Sequence, residues 1–180
     1  MDSSRAPSVH IPSVSIVVPA HNAARTIGDC IQSLRDQRGL ERAPEIIIVD
    51  DGSTDRTPEI VGNYSDARLI RQENLGPGAA RNTGIAQATG DYILVTDSDC
   101  TPSPDWAAEL LRDFASPTVA LVMGKTESGE SGGSVWAKVF MGRDLVGRVA
   151  GSTSRFNSNN MAVRRELAVA FPFDSALGIY

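Results

Sequence analysis

Two carboxylates, Asp97 and Asp99, stand two positions apart just past the apolar run Tyr92-Ile93-Leu94-Val95. On an extended backbone that spacing leans both side chains the same way. Two hard oxygen donors at a strand's carboxyl end suit Mg2+ or Mn2+ and leave most coordination positions for water and phosphate oxygens. The pattern is short and common, and two loop aspartates also serve as turn formers or as caps for a following helix. What tips the balance is that two other apolar runs end in polar groups as well. Pro19-Ala20-His21 follows Val14-Ser15-Ile16-Val17-Val18, and Asp50-Asp51 closes Glu45-Ile46-Ile47-Ile48-Val49.

The elements that must position these residues can be read from periodicity. Strands are expected at 14–18, stopped by Pro19, at 45–50, at 68–71, from Tyr92, and at 119–123, since the runs are β-branched or apolar and bounded by turn formers. Helical spacing lies between them. Ile27, Cys30, Ile31 and Leu34 share one face, and Trp106, Leu110 and Phe114 share another. A helix of small residues is expected at 79–88, and Thr57-Pro58 reads as a cap followed by a first-turn proline. Such alternation calls for a mostly parallel α/β sheet with right-handed crossovers, flanked by helices. Ligands of such sheets sit beyond the carboxyl ends of the strands. The clusters at Pro19-Ala20-His21, Asp50-Asp51 and Asp97-Ser98-Asp99 would therefore meet on one edge.

After Gly124 the alternation fails. A Gly/Ser-rich loop is expected at 127–134, an amphipathic helix at 134–149, a strand at 156–163 and a short helix at 164–170. The division expected is a flexible tail (1–13), an α/β half (14–124) and a second part (125–180). If helical, the Trp136/Phe140 side of 134–149 packs on the sheet or on a second subunit, or lies on a bilayer; the first is favoured, because most amphipathic helices cover cores.

The 180 residues are enough for one domain with a real core. A formal net charge of −5, with no long basic run, argues against a nucleic-acid partner. Cys30 and Cys100 lie too far apart in sequence for a metal-type spacing, and two cysteines in a chain of this length point to a reducing compartment. The first dozen residues lack the apolar centre of a signal peptide, and no run approaches the roughly 18 apolar residues of a membrane span. The expectation is a cytoplasmic protein whose membrane contact, if it has one, is peripheral.

Four stretches, VSIVVPAHN, EIIIVDDGSTD, NLGPGAARNTGIAQATGDYILVTDSD and FNSNNMAVRRE with FPFD after it, resemble family 2 glycosyltransferases of the GT-A fold in order and spacing, from Val14 to Asp174. The resemblance implies a nucleotide-diphosphate sugar donor, often a UDP-sugar, and inverting transfer to an acceptor hydroxyl. It places Pro19, Ala20 and His21 beside the base and ribose, with an imidazole where an aromatic ring is frequent. It gives Asp50 the pyrimidine ring, Asp51 the ribose or diphosphate, Asp99 the metal directly, and Asp97 the ribose or a metal-bound water. Ser98 lies between those two ligands. Arg81 and Asn82 are implied as supports for Asp50 and Asp97, or as buried structural residues. Asn159 and Asn160 would border the sugar and acceptor. Gly76-Pro77-Gly78 invites a phosphate-loop reading, but Arg81 stands where Gly-x-Gly-x-x-Gly needs its last glycine.

An inverting transferase also needs a general base. The family's carboxylate pair would fall beyond Tyr180, so the catalytic base is not assigned to any residue here, and the acceptor-side part is expected to be incomplete. The competing expectation is therefore a nucleotide-sugar-binding or interaction domain without turnover. Nucleotidyl transfer ranks last, since Pro19-Ala20-His21-Asn22-Ala23 is not a Gly-rich basic loop.

Overall fold

The computed structural model describes residues 12–124, 137–140, 149–150 and 159–174. Strand and helix alternate as expected: β1 (Val14–Ala20), α1 (Ile27–Arg35), β2 (Glu45–Asp51), α2 (Thr57–Val61), β3 (Ala67–Gln72), α3 (Pro77–Gln87), β4 (Tyr92–Thr96), α4 (Trp106–Arg112) and β5 (Val119–Met123). Then come β6 (Ala137–Phe140), β7 (Val149–Ala150), β8 (Asn160–Arg164) and α5 (Arg165–Ala170). Among the described residues these strands make one sheet of eight, ordered β3-β2-β1-β4-β8-β5-β6-β7. β3, β2, β1 and β4 pair in parallel, whereas β8 runs against both of its neighbours, β4 and β5. β5 thus points the same way as the first four strands.

Helices cover both faces, which is why β1 is buried along its whole length instead of alternating. One face packs Ile16, Val18, Ile46, Ile48 and Leu94 against Ile27, Cys30, Ile31 and Leu34 of α1 and against Trp106 and Leu110 of α4. The other packs Val17, Ile47, Val49, Ile93 and Val95 against Ala80 and Ile85 of α3 and Ala168 of α5. Helix α3 lies close because Gly84 faces the sheet, where a Cβ would run into the Val17 side chain.

A buried serine within β1 is explained by a polar knot at the opposite edge from the candidate residues. Ser15 Oγ donates to Glu45 Oε2 (2.6 Å) and accepts the Gly90 N–H (2.8 Å). The same carboxylate oxygen accepts the Thr89 N–H and hydroxyl, each at 2.9 Å. Burial alone would raise the Glu45 pKa, but the Ser15 and Thr89 hydrogen bonds and the Arg68 charge outweigh it and hold the carboxyl below its ordinary value. A carboxylate held low stabilises the fold above its unfolded pKa and stops doing so as pH falls through the folded value. Glu45→Ala is therefore expected to cost about 1.5–3 kcal/mol at neutral pH. In denaturant titrations the gap to wild type should close as pH drops below about 4.5; a gap independent of pH would show that packing, not charge, is lost.

The structure departs from the sequence expectations in several places. β1 does not stop at Pro19; its β4 ladder ends at Val17↔Val95, so the missing N–H breaks no rung on that side. Thr57 is not the cap of α2, which is Arg56. Thr57 is instead buried, donating to Asp55 Oδ1 (2.5 Å) and accepting the Ala23 N–H (2.8 Å). The helix expected at 134–149 is replaced at Ala137–Phe140 by strand β6, paired antiparallel with β5. The residues at 137–140 include β-branched and aromatic types that suit a strand, and an open ladder on β5 supplies the partner, so a short apolar pattern resolves as strand. Trp136 lies outside the described residues, and the amphipathic helix on which the bilayer reading rested is absent from 137–140. Ser13, placed in the loose tail, is tied through its N–H and hydroxyl to Asp91 Oδ2 (2.7 and 2.8 Å). Residues 1–11 lie outside the described residues. Among those described, no helix is long and apolar enough to cross a membrane.

Candidate active site

The pairing register brings the candidate residues to one edge. Ala20 lies opposite Asp50 at the ends of β1 and β2, and Thr96 lies opposite Asn160. Because β8 runs backwards, its first residue meets the carboxyl ends of β4 and β5, and the Gly124 N–H donates to the Asn160 carbonyl (2.9 Å). Trp106 Nε1 donates to Asn160 Oδ1 (2.8 Å), fixing that side chain. Asn159 stands just before it in the turn.

The loops after β1 and β2 are stitched together. Asn22 adopts a left-handed backbone (φ 50°), which asparagine tolerates better than most residues. Its Oδ1 accepts the Thr54 N–H, the Thr54 hydroxyl and the Asp55 N–H, and its own N–H donates to Ser53 Oγ. His21 is exposed, yet both ring nitrogens are engaged. Nδ1 lies 2.8 Å from the Asp51 carbonyl, which only accepts, so Nδ1 carries the proton. Nε2 then accepts from the Asn22 amide at 3.0 Å, with the Asn74 amide at 3.5 Å. Both ring nitrogens are thus committed to the protein.

Asp50 and Asp51 point to opposite faces of the sheet. Asp50 is fully buried on the α1 side, where Oδ1 accepts the Ser53 N–H and Oδ2 accepts Arg71 Nε, both at 3.2 Å. Asp51, also buried, binds the loop that leads into α3: Oδ1 accepts Gln72 Nε2 and the Leu75 N–H, and Oδ2 accepts the Gly76 N–H. Amides of the Gly76-Pro77-Gly78 approach are thus already satisfied by Asp51, which removes much of the case for a phosphate loop. Gly52 (φ 72°) must be glycine for this crossing, because a Cβ would sit 2.8 Å from the Asn74 nitrogen.

On the α3 side Arg81 Nη2 donates to Asp97 Oδ1 at 2.6 Å, with the arginine side chain 7% exposed and the aspartate 32%. Arg81 also lies over the Phe173 ring, 5.6 Å from its centroid, and its Nε is buried with no hydrogen-bond partner among the described residues. Of the two roles expected for Asn82, support of Asp50 and Asp97 or a buried structural one, the structure shows the second: it grips the backbone of Phe173, donating to its carbonyl and accepting its N–H, both at 2.8 Å. Asp99 is exposed and Ser98 half-buried. Asp97 and Asp99 are the acidic pair of the edge; no cluster of three or more His, Cys, Asp or Glu that could hold a metal occurs among the described residues.

Two neighbours of this loop were not singled out from sequence. Cys30 Sγ lies 3.6 Å from the Asp97 carbonyl, and Cys100 Sγ 3.7 Å from Asp99 Oδ1. Burial pushes the Cys30 thiol up to about 12, with Cys100, Asp99 and Asp97 adding to the rise. Burial and the Asp99 charge also raise Cys100, although backbone and Thr96 hydrogen bonds oppose them. Neither thiol is a thiolate nucleophile at neutral pH. Helical spacing marked Cys30 only as core; its position beneath the Asp97 loop needed the tertiary structure.

Residues 15–170 match the family model for glycosyl transferase family 2. The chain belongs to that family. Among curated relatives, glycosyltransferase AglE of Haloferax volcanii is 35% identical over 122 residues, 65% of this chain and 40% of that protein. Among solved structures, mannosyltransferase PcManGT from Pyrobaculum calidifontis, in complex with GDP-Man and Mn2+, superposes with a TM-score of 0.71 at 26% identity, over 93% of this chain and 49% of that one. Glucosyl-3-phosphoglycerate synthase from Mycobacterium tuberculosis, in complex with Mn2+, uridine-diphosphate and glucosyl-3-phosphoglycerate, gives 0.53 at 28% identity over 61% and 42%. This family 2 chain spans less than half the length of each of the three. Its GT-A sheet is the α/β architecture expected from sequence, with β8 as the antiparallel insertion.

Proposed function

We propose that this domain binds a nucleotide-diphosphate sugar, first of all a UDP-sugar, and transfers the sugar with inversion to an acceptor hydroxyl with a divalent cation present. The observation that carries the reading is the pair Asp97 and Asp99 at the end of buried β4, one of them oriented by the buried Arg81. Their oxygens are hard, partly open donors, and the arginine has a buried N–H with no partner among the described residues. That donor set fits Mn2+ or Mg2+ sharing its remaining positions with phosphate oxygens. Metal-containing complexes of the mannosyltransferase and the synthase support it. When bound, the cation would offset the negative charge that grows on the departing diphosphate, more in the transition state than before it.

The chain's own residues do the positioning. Asp99 and Asp97 would hold the ion, with Ser98 between them. His21 offers a ring face to the base, flanked by Pro19 and Ala20. Asp50 serves the base side. Asp51 serves the donor by fixing the 72–76 loop, and Arg81 by fixing Asp97. Asn160, clamped by Trp106, and Asn159 border the acceptor side. A glycan, lipid-linked or polysaccharide hydroxyl is the acceptor class. The test is calorimetric titration of UDP, GDP and dTDP into the chain, with and without Mn2+. Metal-dependent binding of one of them is the expected result; no binding of any, in either condition, would overturn the donor site.

A further inference from the structure

We propose that Gln37 is a positioning residue for the metal site: it pins the far end of the loop that carries Asp97 and Asp99. The inference rests on the donor-site reading above and deepens it, naming a residue outside the acidic pair on which cation affinity depends. Residues 97–105 join β4 to α4. Within them the Cys100 N–H donates to the Asp97 carbonyl (3.1 Å), closing the turn that carries the acidic pair. Pro102 and Pro104 have no N–H to donate, so the rest of the loop must be held largely from outside.

The holding element is α1 with the residues just after it. At the near end Cys30 Sγ lies 3.6 Å from the Asp97 carbonyl. At the far end the Arg38 N–H donates to the Pro104 carbonyl (2.7 Å), and the Gln37 side chain makes three further bonds. Its Nε2 donates to the Ser103 carbonyl (2.8 Å) and to the Ser33 carbonyl (3.1 Å), and its Oε1 accepts the Ala107 N–H (2.9 Å). Carbonyls only accept, so the orientation of the amide is settled. Asp105, at the N-cap of α4, makes no side-chain cap bond, and Gln37 caps the helix in its place. One half-buried amide therefore does two things. Its oxygen seats α4, and its nitrogen ties down the loop four residues after Asp99.

Two substitutions separate those jobs. Gln37→Glu keeps an oxygen for the Ala107 N–H, where a negative charge suits the first helical turn, but has no N–H for Ser103. Gln37→Met keeps the length and loses both. The experiment titrates UDP at a series of Mn2+ concentrations into wild type and both variants, with melting temperature and amide exchange of the metal-free chain measured alongside. In Gln37→Glu the melting temperature should stay within a few degrees of wild type and the Ala107 amide should remain protected. The Cys100 amide should exchange faster, and the Mn2+ concentration for half-maximal UDP binding should rise about 3- to 10-fold, the worth of one hydrogen bond. Gln37→Met should show the same rise together with a lower melting temperature and faster Ala107 exchange. A Mn2+ requirement that stays at the wild-type value in Gln37→Glu, or rises only where the melting temperature falls, would make Gln37 a helix cap alone and overturn the proposal. Wild type that binds UDP without regard to Mn2+, or not at all, would instead overturn the donor-site reading on which it rests.

Discussion

Asp99→Ala is expected to remove the Mn2+-dependent part of nucleotide binding and to lower sugar transfer at least ~10²-fold, the scale of losing one preorganised charge-stabilising partner. The size of the effect follows from the acidic pair. Asp97 gives one oxygen to Arg81, so Asp99 carries the fully available carboxylate. Stability should hardly move, because the side chain is exposed and its contact among the described residues is the weak one from the Cys100 thiol. Melting temperature, UDP calorimetry with and without Mn2+, and transfer to an acceptor read these effects separately. A variant with wild-type metal-dependent binding would remove Asp99 from the metal site.

Arg81→Met is expected to separate stability from function. The arginine is nearly buried, with one N–H lacking a partner among the described residues, and such a charge is costly to desolvate. Methionine fills similar volume and keeps an apolar contact with Phe173, while Asp97, about a third exposed, retains water as a partner. The melting temperature should therefore stay within a few degrees of wild type, because the carboxylate left behind is rehydrated and not stranded in the core. Nucleotide affinity should fall about 10- to 100-fold, because Asp97 loses the charge-assisted hydrogen bond that orients it. Arg81→Lys should recover part of the affinity. A large fall in melting temperature with unchanged affinity would make Arg81 a structural residue only.

Much of this arrangement was legible in the chain. The four-position face of α1 and the whole of β4 are fixed by local periodicity, and Tyr92–Thr96 needs no tertiary help to be a strand. The edge that gathers His21, Asp50 and Asp97 follows from alternation alone, since parallel strands present their carboxyl ends together. What sequence could not supply was parity and partner. Asp50 and Asp51 are adjacent and alike as letters, yet one strand position turns one toward α1 and the other toward α3, with different partners. Asn82 could be a support for Asp50 and Asp97 or a buried structural residue, and sequence could not choose; its partner in space is Phe173, ninety-one positions away, which makes it the second. At Ala137–Phe140 a strand won over a helix because the free ladder of β5, invisible in a short window, supplied the partner.

The insertion of β8 between β4 and β5 sets the order in which the molecule can assemble. β3, β2, β1 and β4 are joined by short crossovers and can pair as soon as residue 96 is free to fold. β5, though close in sequence to β4, cannot join the sheet until Asn160–Arg164 arrives to lie between them. Contacts that close so long a loop form late. During synthesis the outer edge of β4 therefore waits with an unpaired ladder, and the part of the edge that carries His21, Asp50 and Asp97 is built before the part that carries Asn160. Pulse-labelled hydrogen exchange during refolding should show amides of β1 and β2 protected ahead of those of β8, and simultaneous protection would argue for a single concerted step. The carboxylates at the end of β4 thus join two parts of the chain with separate folding histories, and a chain halted before residue 160 would expose β4 to any passing strand.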